Sequence, residues 1–249
     1  MISVEYRDTV ALVKLERGVT HAIHLKLVDE LDEALQRIKR DSRARALVLS
    51  STNDKFFSIG FDIPSLFGLS MEDFLGFYQA FNRVCLELYT FPKPTVAAVT
   101  GHAIAGGCIL ALCCDYRFIA ESRRLMGLNE VKLGVPVPYP ADCILRDLVG
   151  VRAARDVMEG GEFYQPRDAF QMGMVDRICP PEKMLTQAVE KAKVLSVFSQ
   201  QAYTLIKRNR VEQIEEHIKA HLKAKERLFV DRWYSEEARE LLREAMEKF

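Results

Sequence analysis

Two glycine-bearing turns, Ser58-Ile59-Gly60-Phe61-Asp62 and Ala105-Gly106-Gly107-Cys108, each stand where a strand-like run gives way to a helix-like one. That repeated junction confines the chain to alternating strands and helices, which bury a sheet beneath covering helices and make an α/β fold. The surrounding periodicity agrees. Residues 10–15 alternate as a strand, and the Tyr6-Arg7-Asp8-Thr9 break before them predicts a hairpin with residues 2–5. Leu25, Val28, Leu31, Leu35 and Ile38 recur at helical spacing with charges between them. A short buried strand follows over 46–50, a helix over 74–88, and a strand over 95–99 whose entry is fixed by Pro92 and Pro94. The cycle continues with a helix over 106–113, a strand over 116–120, helices over 139–149 and 151–158, and a last strand over 175–178. Pro181 then opens a nearly unbroken helical stretch to Phe249, so the chain divides into a core over 1–190 and a helical region over 191–249.

A chain of 249 residues with 49% hydrophobic content can bury a sizeable core. Its 35 Lys+Arg balance 35 Asp+Glu, and without a basic run there is no electrostatic footprint for nucleic acid. No apolar run approaches the roughly 20 residues that span a bilayer, and the amino-terminal residues lack a basic-then-apolar leader pattern. None of the six cysteines (Cys85, Cys108, Cys113, Cys114, Cys143, Cys179) forms a CxxC pair, and most lie in apolar runs. Buried free thiols in a reducing, cytoplasmic setting are the expectation. His217 and His221 stand four apart on a helix, but no third ligand accompanies them, so no metal is expected.

The chemistry is carried by the two turns and one acid. A glycine lets the backbone turn tightly and lets a ligand approach without an intervening Cβ. Gly106 opens a helix, where unpaired N–H groups and the positive end of the dipole favour negative charge. Two turns that aim backbone N–H groups at one oxygen make an oxyanion hole. Glu130, in Gly127-Leu128-Asn129-Glu130, is the isolated acid beside them. One carboxylate next to an oxyanion hole suits proton abstraction beside a thioester carbonyl, because the paired donors carry the charge of the enolate. Asp62, two residues before Pro64, reads as a helix N-cap. Lys55 and Arg17 read as solvated charges. The aromatic stretch Leu66, Phe67, Leu69, Phe74, Leu75, Phe77, Tyr78 and Phe81 reads as core on its helical part.

Three segments in register, 57–63, 101–108 and 127–130, resemble the enoyl-CoA hydratase/isomerase (crotonase) superfamily. The resemblance runs from about Val4 to Ile178. It implies a crotonase-like spiral of repeated strand–strand–helix units with a C-terminal helical trimerisation region, in a homotrimer or dimer of trimers. It also implies an acyl-CoA substrate in fatty-acid β-oxidation, and no cofactor, since coenzyme A is part of the substrate. The family's oxyanion donors fall on the N–H groups of Phe61 and Gly106, with Ala105 in place of a preceding family glycine. Lys55 matches a lysine near the coenzyme A phosphates, Arg17 lies in a loop near the nucleotide, and backbone near Ser58 meets the adenine. For Lys55 and Arg17 these ligand contacts stand equally beside the reading as solvated charges. The resemblance also implies that the aromatic stretch after the first turn lines an acyl-chain pocket. Lys55, Ser58, Ile59, Gly60, Asp62 and Ile109 make up the expected substrate-binding set. The family's common Asn-Ala helix start is His21-Ala22 here.

Family hydratases hold their water between two glutamates, and the first of those positions is Ile109 here. An isoleucine cannot orient water. The pattern is most similar to that of mitochondrial-type Δ3,Δ2-enoyl-CoA isomerases, which implies a shift of a double bond between C3 and C2 with Glu130 as proton shuttle. Two alternatives stand beside it: a hydratase or acyl-CoA hydrolase with unidentified water-holding groups, and a catalytically silent CoA-binding or assembly subunit.

Overall fold

The computed structural model describes residues 1–247. Strand β1 (Ile2–Arg7) pairs antiparallel with β2 (Val10–Leu15), as the hairpin reading requires. Helix α1 (Leu25–Arg40) follows, its start capped by His24 Nδ1 accepting the Leu27 N–H at 3.2 Å. From there each repeat supplies two strands before its helix. Strands β3 (Ala46–Ser51) and β4 (Phe56–Ser58) precede α2 (Ile63–Phe67) and α3 (Met71–Tyr89). Strands β5 (Thr95–Val99) and β6 (His102–Ile104) precede α4 (Gly106–Leu112). Strands β7 (Tyr116–Ala120) and β8 (Met126–Gly127) precede a 3₁₀ turn (Glu130–Leu133) and α5 (Tyr139–Gly160). Gly150, at φ 78°, breaks α5 where two helices are expected.

The two strands of each repeat go to different sheets. A large sheet runs β1-β2-β3-β5-β7-β10, where β10 is Arg177–Cys179. A small one runs β4-β6-β8-β9, where β9 is Phe163–Tyr164. Because β4, β6 and β8 are parallel neighbours, their carboxyl ends lie side by side, about 5 Å apart per strand. The segments that leave those ends are Ile59-Gly60-Phe61, Ala105-Gly106 and Leu128-Asn129-Glu130. Topology thus brings together motifs that are far apart in the chain.

Alternation along the large sheet builds two cores. Ala11, Val13, Leu47, Leu49, Ala97 and Val99 face α1 and α3, while Val10, Leu12, Val48, Val96 and Phe118 face the opposite layer. Helix α7 (Met184–Ser196), in which the expected division at 190/191 falls, covers that second face with Ala188 and Ala192. Helix α6 (Pro166–Gln171) connects β9 to β10.

The helical stretch after Pro181 is interrupted twice. Ser199 and Ser235 cap α8 (Gln200–Trp233) and α9 (Glu236–Met246), each hydroxyl accepting a backbone N–H at 3.3 Å, which ends one helix and starts the next. Helix α8 is fastened to the core by Asp115. Its buried carboxylate accepts from Thr95 N–H (2.9 Å), Lys207 Nζ (2.8 Å) and Tyr203 Oη (3.1 Å).

Candidate active site

Hydrogen bonds on neighbouring groups fix the direction of the first candidate donor, the Phe61 N–H. Gly60 has φ 94°, and a Cβ there would stand 2.9 Å from Ile104 O and 3.0 Å from Gly106 N, so the two turns touch and only glycine fits. The Gly60 carbonyl accepts the Ile23 N–H at 2.7 Å. In a planar trans peptide the following N–H points the opposite way. The Phe61 N–H therefore turns away from Ile23 and towards the cavity. Ser58 tightens the turn: its Oγ donates to His21 O (2.8 Å) and accepts from Gly60 N–H (3.1 Å). The Phe61 ring is held edge-on by Phe77 (5.0 Å) and Phe81 (4.8 Å).

The second donor is set by the same logic. Ala105 N–H donates to Gly127 O at 2.9 Å, and Ala105 O accepts the Ile109 N–H at 2.9 Å. The Ala105 carbonyl thus lies along α4, and the Gly106 N–H points out of the helix start. Holding this geometry puts Ala105 at φ 47°, ψ −120°, a strained conformation for a residue with a Cβ. Gly107 is fixed by packing, since a Cβ there would lie 2.3 Å from Ser58 O. Neither the Phe61 nor the Gly106 N–H has a hydrogen-bond partner among the described residues.

Glu130 opens the 3₁₀ turn after β8 and is 5% exposed. Burial pushes its carboxyl up to about 7, against a smaller opposing pull from the backbone of Glu130 and Asn129. Its Oε2 is buried without a hydrogen-bond partner among the described residues. A carboxyl that titrates near neutrality can accept a proton in one step and return it in the next.

These groups line one cavity of about 300 Å³, whose walls include Phe61, Gly106, Ile109, Glu130, Phe229 and Trp233. Glu130 is the sole ionisable residue among its described lining residues. A second cavity of about 300 Å³ shares Ile59, Phe61 and Ile63 with the first and continues past Arg17, Thr20 and Asp62. The Ile59-Gly60-Phe61 turn stands between them.

The expected site residues divide accordingly. Phe61, Gly106, Glu130, Ile59 and Ile109 converge on the first cavity, with Ile109 an apolar wall only 1% exposed. Gly60 lies behind them as the contact between the turns. Asp62 caps α2 through the Ser65 N–H and is ion-paired to Arg17, which also donates to Ala22 O (2.8 Å). The Ser58 side chain is spent on internal hydrogen bonds. Lys55 lines neither cavity, and its ammonium lies over the Phe56 ring at 5.7 Å. His217 is bonded through Nε2 to Tyr139 Oη at 2.9 Å.

None of the aromatic stretch after the first turn lines the cavity, and the aromatic residues of its helical part are core. Phe74, Phe77, Tyr78 and Phe81 are at most 1% exposed and support the cavity from behind. Sequence reasoning missed Asn129, Phe163, Phe229, Trp233 and Ala245, all of which line the cavity. The one signal available was the chain's single tryptophan, standing in a helical tail otherwise rich in charge.

Residues 5–249 match the family described as enoyl-CoA hydratase/isomerase. Enoyl-CoA delta isomerase 1, mitochondrial, from Homo sapiens is 33% identical over 181 residues, 72% of this chain and 60% of that protein. A putative enoyl-CoA hydratase from Thermus thermophilus is 40% identical over 167 residues, 66% of this chain and 63% of that protein. The chain thus spans 60 to 65% of the length of the mitochondrial isomerases and the Thermus protein, and 91% of a probable enoyl-CoA hydratase from Rhizobium meliloti, to which it is 30% identical. In three dimensions it superposes on human mitochondrial delta3-delta2-enoyl-CoA isomerase with a TM-score of 0.95 at 28% identity, covering 99% of this chain and 97% of that one. An enoyl-CoA hydratase from Mycobacterium ulcerans gives 0.84 at 26% identity, covering 90% and 98%. The α/β architecture is the crotonase fold that the motifs imply.

Proposed function

The chain belongs to the enoyl-CoA hydratase/isomerase family, and we propose that it moves a carbon–carbon double bond from C3 to C2 of an enoyl-CoA. The observation that carries this reading is a single buried carboxylate, its carboxyl pushed up to about 7, in a cavity whose other lining side chains are apolar except for the Asn129 amide and the Trp233 indole, beside two free backbone donors. The thioester oxygen lies between the Phe61 and Gly106 N–H groups. Ionised Glu130 takes a proton from C2, the two donors carry the charge of the dienolate, and protonated Glu130 returns the proton at C4. Carbon oxidation state and water content are unchanged overall, so the balance calls for no redox partner and no added water. Ile109 keeps an apolar wall where a second acid would otherwise hold a water molecule.

A hydratase reading is supported by the similarity to the Thermus protein named a putative enoyl-CoA hydratase. Purified protein presented separately with a 3-enoyl-CoA and a trans-2-enoyl-CoA, with products read by mass, distinguishes the two. Isomer without mass gain supports the isomerase, a gain of one water supports the hydratase, and binding without turnover marks a silent binding subunit.

The proposal extends to a homotrimer or dimer of trimers. Val197, Phe198, Leu205 and Ile206, between 54% and 73% exposed around the start of α8, support self-association. Light scattering on the purified chain measures it. No helix among the described residues is long and apolar enough to cross a membrane. Cytoplasmic residence is proposed on the six buried free thiols; the curated isomerase relatives are named mitochondrial, so cell fractionation decides the compartment.

A further inference from the structure

We infer that the cavity beside Glu130 takes a medium-chain acyl group, and that Ala245, on the chain's own last helix, sets the upper length of that group. The inference rests on the reading of this cavity as an acyl site.

The cavity wall contributed by α8 is fixed. Trp233 stacks on Phe74 of α3 at 4.4 Å and Phe229 stacks on Tyr78 at 4.0 Å, so that wall cannot retreat without unpacking α3. The wall contributed by α9 is pinned at its amino-terminal half. Arg239 lies 3.3 Å from the centroid of Phe67 and donates to Phe67 O at 2.8 Å. Arg232, at the end of α8, donates to Gly134 O at 2.6 Å. A Cβ on Gly134 would come within 3.2 Å of Ala238 Cα, so α9 sits directly on the turn that follows Glu130.

Held in this way, α9 presents Ala245 to the cavity. Apart from Ala105 at the oxyanion turn, Ala245 is the sole alanine among the described lining residues, so its side chain presents only a methyl group there. The cavity's volume of about 300 Å³ accommodates about ten heavy-atom groups at the ~30 Å³ that a water-sized group occupies in a liquid. Because the oxyanion turns and Glu130 line the same cavity, that count starts at the thioester carbonyl. The limit is therefore an acyl chain of about ten carbons, and a larger side chain at Ala245 shortens it.

The test is calorimetric binding of saturated hexanoyl-, octanoyl-, decanoyl-, dodecanoyl- and tetradecanoyl-CoA, with free coenzyme A as baseline. In the parent chain affinity should rise by up to roughly fourfold per methylene to about decanoyl and then level off. Ala245→Leu adds three carbons to the wall. It should weaken decanoyl-CoA by at least about tenfold, a few methylenes' worth of burial, and leave hexanoyl-CoA within about twofold. Ala245→Val should shift the limit in the same direction by less, and it carries the test if circular dichroism shows that the leucine variant does not fold. Affinity that climbs through tetradecanoyl-CoA in the parent, or variants that weaken hexanoyl- and decanoyl-CoA equally, would overturn the assignment. Saturated chains are not turned over by an isomerase. A failure of the isomerase reading therefore appears in the 3-enoyl-CoA product assay, and a failure of the length assignment in the binding series.

Discussion

Replacing Glu130 with glutamine keeps the shape of the side chain, removes its charge, and should move activity and stability in opposite directions. Turnover of a 3-enoyl-CoA should fall by roughly 10²–10⁴, the range for losing a positioned acid/base, with affinity for coenzyme A unchanged. The stability effect follows from the proton linkage. Burial raises the folded-state carboxyl from the usual 4.5 to about 7, so the folded chain holds this proton more tightly than the unfolded chain. The parent's stability is undiminished by this group below pH 4.5, declines as pH rises from there towards 7, and carries the full penalty above. At about 1.4 kcal/mol per pH unit, the parent loses roughly 2–3 kcal/mol between pH 5 and pH 8 from Glu130 alone. Glutamine does not titrate. The stability difference between variant and parent should therefore shift in favour of the variant by that amount from pH 5 to pH 8, and any constant cost of burying the amide cancels in the comparison. Urea denaturation at the two pH values measures it. The parent's kcat/KM should fall about tenfold per pH unit below about 7. Equal stability differences at both pH values would show that Glu130 is not desolvated, and near-normal turnover of a pure variant would remove it from the mechanism.

Ala105→Gly should stabilise the chain by about 1 kcal/mol in urea titration. It releases about 1–3 kcal/mol of strain at φ 47° against a glycine entropy cost of about 0.5–1 kcal/mol, and a net loss would contradict the strain. Asp115→Ala leaves Lys207 buried without its partner and should cost about 3–5 kcal/mol; adding Lys207→Met should recover much of it, and no recovery would place the cost elsewhere. Ile109→Glu sets a carboxyl on the cavity wall one helical turn from Gly106 and should raise the ratio of hydrated to isomerised product by mass, in a variant first shown to fold and bind coenzyme A. If the parent already hydrates as fast as it isomerises, the isomerase reading loses its main support.

The candidate turns were legible in the sequence because each carries a glycine, at Gly60 in a conformation only glycine adopts freely, and because one acid stands near them. What aims the donors was not. The bonds from Ile23 N–H to Gly60 O and from Ile109 N–H to Ala105 O belong to peptides whose side chains carry no sign of the role, and Ala105 accepts a positive φ that its residue type disfavours. Strands β4, β6 and β8 have three, three and two residues, too few for a period of two to register, so the small sheet left no pattern to read. That sheet nonetheless decides the site, because its strand order sets Phe61, Gly106 and Glu130 side by side.

The aromatic stretch shows the opposite case. Phe74, Phe77, Tyr78 and Phe81 recur at offsets of three, four and seven and so share one helical face, but periodicity reports a buried face without reporting what it faces. The structure turns that face towards Trp233 and the Phe61 ring. The aromatic side chains thus fix the rings that line the cavity without lining it themselves. Closure of the cavity falls to residues more than 90 positions further along the chain than Glu130, on helices whose local sequence records only that they are helices. The residues proposed for the chemistry therefore stand in local motifs at the turns, whereas the shape of the cavity they line is set by how the tail packs back on the core, which no local window of the sequence contains.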